Sequence, residues 1–278
     1  MGRTKPPLEG GTILITGASS GIGREIARQL VDTAKTLVLV ARREQRLLEL
    51  KKELTDKGVG LNVNVQVCDL GDLEATRGML EAVSEEVGEI DVLINNAGIG
   101  DISLFERTHW QKLDKIIRVN IHALSFLTFH LFRKMLTRGR GGILNVSSAF
   151  GLTFLPGFGT YAASKQYVTS FTEILRMEAK GTGVVVSQVC PGPVATEFEA
   201  TTGNPFGQPV PKVLEISAEK CAMVALRGFA KGKALTMAGS FLLRSLMVLA
   251  RITPRVIFRP CVGWIGKYLR RLPEQRPG

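Results

Sequence analysis

Six short runs rich in β-branched and apolar residues punctuate the first 192 positions: TILIT (12–16), TLVLVA (36–41), NVNVQVCD (62–69), IDVLINNAG (90–98), GGILNVSS (141–148) and GVVVSQVCPG (183–192). Between them the apolar positions switch to helical spacing. Ile22, Ile26 and Leu30 share one face after the first run, and Leu47, Leu50 and Leu54 share another after the second. Strands separated by helices are joined by parallel crossovers, so the pattern predicts an α/β fold: a doubly wound parallel sheet, three layers α/β/α.

Beyond residue 192 the alternation breaks. TTGNPFGQPVP (201–211), rich in Gly, Pro and polar residues, is long for a connection and is expected to act as a mobile lid. The segment SFLLRSLMVLARITPRVIFRPCVGWIGKYLRRL (240–272) sets apolar runs between arginines. A membrane-crossing helix needs about 20 apolar residues, and Arg244, Arg251, Arg255 and Arg259 divide this segment far more finely, so it is not expected to span. Pro254 fits the first turn of a helix after Thr253, and Pro260 is expected to kink or end it, giving two or three short helices. The chain therefore divides into one α/β domain over 1–239 and a helical, basic extension over 240–278. With 278 residues and 45% hydrophobic content, an undivided domain of this class can bury a sizeable core.

A net charge of +11 raises the question of nucleic acid, and the location of the charge answers it. From Lys231 onward ten Lys and Arg face only Glu274, a surplus of +9, while 26 basic and 24 acidic residues precede them. A nearly neutral body with a basic, apolar tail does not read as a DNA- or RNA-binding domain, and no zinc-finger, basic-zipper or RNA-recognition signature is present. Cys68, Cys190, Cys221 and Cys261 are dispersed without a CxxC pair, which indicates neither a disulfide framework nor a metal site. They read as reduced thiols. The N-terminal MGRTKPPLEGG holds no apolar signal run, and Pro6 breaks the myristoylation pattern, so a cytoplasmic protein is expected.

Two motifs carry candidate chemistry. TGASSGIG (16–23) lies between the first strand and the first helix, where Gly17, Gly21 and Gly23 would let backbone approach a pyrophosphate favoured by the free N–H groups of the helix N-terminus. Its spacing is GxxxGxG. YAASK (161–165) sets a tyrosine and a lysine at i and i+4, on one helical face. Tyr167 and Tyr268 have no such partner.

Together these motifs make the chain resemble a classical short-chain dehydrogenase/reductase over roughly residues 10–230, which implies a Rossmann-type fold. TGASSGIG corresponds to that family's cofactor loop, with Ser19, Ser20 and Ile22 beside the glycines. NNAG (95–98), containing Asn96, corresponds to its strand-four signature, and YAASK to its catalytic Tyr-x-x-x-Lys. Ser148, thirteen residues before Tyr161, matches the catalytic serine, and Asn120 in RVN the fourth catalytic residue. PGPVAT (191–196) resembles the turn that holds the nicotinamide carboxamide, with Pro191, Gly192, Val194 and the hydroxyl of Thr196. Asp69 resembles the adenine contact. The stretch from Tyr161 to Val184 is similar to the hydroxysteroid and 3-ketoacyl reductase branches. Relatives are commonly dimers or tetramers, which implies a homo-oligomer.

The chemistry implied is reduction of an apolar ketone to a secondary alcohol. A free phenol has a pKa of about 10, and an ammonium roughly 4 Å away in an effective dielectric near 20 favours the phenolate by about 4 kcal/mol. Tyr161 is therefore expected near neutral pH, able to donate a proton to a carbonyl oxygen. Ser148 would hydrogen-bond that oxygen, and Asn120 would hold a water joining Lys165 to solvent. At the end of the second strand, VARRE places Arg42 and Arg43 where an acidic residue would select NAD(H). With no carboxylate at that turn, Arg42 can offer a planar fork to a 2'-phosphate, so NADP(H) is preferred, with NAD(H) the lesser partner. Ser20 stands where many NADP-preferring relatives carry a basic residue. The alternative is a non-catalytic NADPH-binding redox sensor. For the tail three roles stay open: a helix packed on the body, an anchor on anionic lipid that would make the protein peripheral at the inner membrane surface, or an apolar wall for a large substrate.

Overall fold

The structure is a computed structural model and describes residues 4–198, 202 and 211–272. Along the chain lie β1 (Thr12–Thr16), α1 (Gly21–Gln29), β2 (Thr36–Ala41), α2 (Glu44–Lys57), β3 (Asn62–Val67), α3 (Leu73–Glu86), β4 (Val92–Asn95), α4 (Trp110–Ile117), α5 (Leu124–Arg138), β5 (Gly141–Val146), α6 (Gly159–Glu178) and β6 (Val184–Pro191). They are followed by β7 (Val194–Ala195), β8 (Ile216–Ser217), α7 (Ala218–Ala230), β9 (Leu235–Ala238), α8 (Phe241–Ile252) and α9 (Arg255–Arg271). The main sheet has the order β3-β2-β1-β4-β5-β6-β9 with parallel pairings, and β7 with β8 forms a separate short pair.

The strands are apolar on both faces because both faces are covered. Ile13 and Ile15 of β1, with Leu37 and Leu39 of β2, pack in one core with Leu47, Leu50 and Leu54 of α2 and Phe229 of α7. Leu14 and Val38 point the other way, into a second core with Met79 of α3, Leu127 and Met135 of α5 and Leu175 of α6. Local chemistry sets the helix limits. Asp72 caps α3 by accepting from Glu74 N and Ala75 N, and α5 stops at Gly139, whose φ of 67° only glycine adopts without strain.

Strand order reverses between β1 and β4, so the loops after these neighbouring strands, carrying TGASSGIG and NNAG, open onto one crevice at the C-terminal edge of the sheet. Between α4 and α5 the helix widens into a single turn of π type, Arg118–Ala123, with Asn120 inside it.

The tail meets expectation at Pro254, which opens its second helix, and departs from it at Pro260, where the helix does not end. Pro254 caps α9 from outside, its carbonyl accepting from Ile257 N and Phe258 N, and Pro260 lies within a helix that continues to Arg271. Side-chain contacts anchor the tail to the domain. Leu269 is buried against Gly157, Phe258 meets Phe154 edge to face at 5.1 Å, and Arg107 donates to the carbonyls of Leu269, Arg270 and Leu272. Arg270 completes the attachment with two 3.0 Å bonds to the Glu106 carboxylate. The opposite side of the tail is bare: Phe241 is 80% exposed, Val256 76%, Ile252 69% and Trp264 61%. No helix among the described residues is long and apolar enough to cross a membrane. The expected lid over 201–211 lies outside the described residues apart from Thr202 and Pro211.

Candidate active site

The glycine loop is shaped by contacts that leave no room for side chains. Gly17 has φ 68°, and a Cβ on it would lie 2.9 Å from both Ala97 Cα and Asn96 Nδ2. Asn96 explains that crowding, since its amide donates to the carbonyls of Thr16 and Gly17 and fastens β4's end to the loop. Gly23 sits against the Gly17 carbonyl, and Gly21, φ 54°, sits against the Thr196 methyl at 3.0 Å from a would-be Cβ. Two motifs far apart in sequence thus share one cradle. The turn before Thr196 is pinned: Pro191 ends β6, Gly192 N donates to the Ala238 carbonyl, and Val194 is buried in β7. Ile22 packs on the core from the start of α1.

The two arginines after β2 diverge. Arg42 reaches toward Asp69, 3.9 Å away, which Lys115 also approaches and which accepts from Gly71 N. Arg43 instead crosses to the glycine loop, donating to Ser20 Oγ at 2.8 Å and to Ser19 Oγ at 3.2 Å. The basic group missing at position 20 is supplied there by Arg43. The turn also gains a carboxylate from far along the chain, because Glu197 pairs with Arg43 at 2.7 Å and with Arg46.

Around the far side of the cradle stand the four candidate catalytic residues, all in the interior: Asn120 is 1% exposed, Lys165 4%, Ser148 7% and Tyr161 8%. Ser148 follows β5 and Tyr161 lies in the first turn of α6, with the Ser148 hydroxyl close enough to act on the phenol. Lys165 Nζ donates to the Val146 carbonyl at 2.9 Å. Asn120 is fixed by accepting from Ile99 N and donating to the Ile99 carbonyl and Ser164 Oγ. A Cβ on Gly98 would lie 3.2 Å from Lys165 Nζ and 3.5 Å from Asn120 Oδ1, so both groups border one small space.

Burial reverses the expected charge tuning. It pushes the Tyr161 phenol up to about 12, against the opposing influence of the Ser148 hydroxyl, and lowers the Lys165 ammonium to about 8. The expectation of a near-neutral phenol fails because desolvation dominates, and the Lys165 ammonium, bonded to the Val146 carbonyl, does not offset it. At neutral pH Tyr161 is a protonated acid. Its surroundings are aromatic: Phe198 lies 5.5 Å away, Phe150 meets it edge to face at 6.2 Å, and Phe158 stacks on Phe150 at 4.1 Å. The buried Cys190 thiol, pushed up to about 11 by burial, lies beneath the pair.

Sequence reasoning missed Arg46, Glu197, Phe150, Phe158, Phe198, Ser164 and Cys190. Only Glu197 and Phe198, next to Thr196, carried a signal in their position.

The chain matches the short chain dehydrogenase family over residues 11–205 and belongs to it. It is therefore an oxidoreductase of that family. Glycine betaine reductase ATRR of Emericella nidulans is 33% identical over 74% of this chain, a match that spans 16% of that longer protein. The 3-oxoacyl-(acyl-carrier-protein) reductase FabG of Vibrio harveyi is 35% identical over 69% of this chain and 76% of its own length. Among solved structures, a short-chain dehydrogenase from Sphingobium yanoikuyae in complex with NADPH superposes with a TM-score of 0.75 at 25% identity, covering 96% of this chain and 98% of the other.

Proposed function

We propose that this protein reduces an apolar ketone, of 3-oxoacyl or steroid-like type, to a secondary alcohol with NADPH. The observation that carries the reading is Tyr161: a buried, protonated phenol beside Ser148 and walled by Phe150 and Phe198. The glycine cradle fits a dinucleotide, because each glycine occupies space that a Cβ would fill. Arg43, Ser19 and Ser20 would hold its phosphates, Thr196 its carboxamide and Lys165 its ribose. When bound, the reduced nicotinamide would supply a hydride to the carbonyl carbon. Tyr161 donates the phenolic proton to the carbonyl oxygen, and the Ser148 hydroxyl bonds to that oxygen as charge develops there. Lys165 stabilises the phenolate left behind and returns a proton to it, through the space it shares with Asn120. The complete set of four argues against a redox sensor, which needs none of them.

Two wider features belong to the same reading. Exposed Phe129 on α5 and Ile174 and Met177 on α6 are apolar side chains left bare on two helices, which supports a homo-oligomer. On the extension from 240 onward, bare apolar side chains stand among arginines, and a groove of about 770 Å³ between α7, β9 and α8 carries Arg227, Lys231, Lys233 and Arg244 with no acidic side chain among its described lining. This supports peripheral contact with an anionic lipid surface. Co-sedimentation with anionic but not neutral vesicles is expected, and equal recovery on both removes the electrostatic account.

The central test is a panel of 3-oxoacyl thioesters and steroid ketones followed by NADPH absorbance, with Tyr161→Phe alongside. Tyr161→Phe is expected to lower turnover by about two to four orders of magnitude while NADPH binding stays nearly intact. Retention of a tenth of the activity would remove Tyr161 as the proton donor.

A further inference from the structure

Glu197 holds an unusual position in the cofactor cradle. One carboxylate oxygen pairs with Arg43 at 2.7 Å and the other with Arg46, so a single anion bridges two guanidinium groups. Arg43 at the same time donates to Ser19 and Ser20 of the glycine loop, which places this fork beside the backbone that faces phosphate. Arg42, the neighbouring candidate, is directed to Asp69 and does not join it. Arg43, Arg46 and Glu197 are 44%, 41% and 46% exposed at their side chains, so an incoming ligand can reach all three.

We propose that Glu197 is an internal competitor for phosphate: its carboxylate occupies the Arg43–Arg46 fork until the 2'-phosphate of NADP(H) displaces it. The inference rests on the NADP(H) reading above and adds to it a residue that sets cofactor selectivity. The exchange is chemically favourable. Phosphate carries more charge and more acceptor oxygens than a carboxylate and matches the planar fork of arginine, whereas an exposed carboxylate pair is a weak occupant. A dinucleotide without the 2'-phosphate has nothing to exchange for Glu197 and leaves the fork as it is. The same residue therefore raises the threshold for phosphate binding and lets NAD(H) gain nothing from either arginine.

The test is calorimetry on the full chain with 2',5'-ADP and 5'-AMP as probes, for the wild type, Glu197→Gln and Arg43→Gln. Glu197→Gln is expected to tighten 2',5'-ADP roughly three- to tenfold, the range of one or two exposed ion pairs, and to change 5'-AMP by less than about twofold. Arg43→Gln is expected to weaken 2',5'-ADP about tenfold or more and 5'-AMP much less. If Glu197→Gln leaves 2',5'-ADP binding unchanged, or weakens both nucleotides equally with a lower melting temperature, Glu197 is a structural clamp and the inference is overturned. Failure of the wild type and both variants to bind either nucleotide overturns the cofactor reading itself.

Discussion

Lys165 and Val146 are joined by a 2.9 Å bond from the ammonium to the carbonyl at the end of β5, and that bond fixes a cation in the interior one helical turn after Tyr161 on α6. Burial nevertheless depresses the lysine to about 8, close enough to physiological pH for its charge to be visible in kinetics.

For ketone reduction, kcat/KM is expected to fall as pH rises through about 8, because Lys165 must be charged to stabilise the phenolate. Tyr161, near 12, stays protonated across this range and adds no second break. A pH–rate profile that remains flat to pH 10 contradicts the role given to Lys165.

Lys165→Met is expected to inactivate the protein and yet raise its melting temperature at pH 7. The unfolded lysine titrates at 10.5 and the folded one near 8, so between these values the unfolded state binds more protons and this group makes stability rise with pH. Below pH 8 the wild type carries the whole cost of burying the charge, on the order of 3 kcal/mol before the Val146 bond is counted. The variant escapes that cost. Melts of both forms should therefore differ most at pH 7 and converge toward pH 10, and a constant gap rules the argument out.

Gly17→Ala is expected to destabilise the fold by roughly 1–3 kcal/mol and to abolish nucleotide binding. The new methyl meets backbone at Ala97 and the Asn96 amide in a conformation with φ 68°, and neither neighbour can retreat without opening the joint between β1 and β4. Urea denaturation and nucleotide calorimetry measure both effects. Normal nucleotide affinity in a folded variant would show that the loop does not approach phosphate closely.

Arg107→Ala is expected to loosen the tail without unfolding the domain. It removes the donor to three carbonyls at the end of α9, where intrahelical donors run out and the Leu269 carbonyl keeps its bond from Leu272 N. Trypsin should then cleave between Arg255 and Arg271 several-fold faster, with little change in the main melt. Unaltered cleavage means that Leu269 and the Arg270–Glu106 pair hold α9 alone.

The first two strands agree with the sequence pattern residue for residue, because apolar β-branched runs flanked by helices leave one arrangement open to them. The glycine loop was equally legible, since positive φ and close backbone approach at Gly17 and Gly21 exclude side chains. Strand β9 was not: LTMA is short, only half buried and holds a single β-branched residue, so its pairing with β6 exists only once the sheet is assembled. The four candidate catalytic residues could be picked from their resemblance to the family's motifs, but not their charge states. A pKa in the interior is set by desolvation, which depends on every element packed around Tyr161 and Lys165. Nor could spacing separate Arg42 from Arg43, adjacent residues that point to Asp69 and to the glycine loop, or bring Glu197 to them from the far side of the sheet. The sequence by itself determined six of the seven strands of the main sheet through local conformation and period, and the candidate groups through their resemblance to the family's motifs. Tertiary structure decided which groups are charged, which arginine meets Ser20 and where the tail docks, because burial and long-range ion pairs are properties of the folded whole.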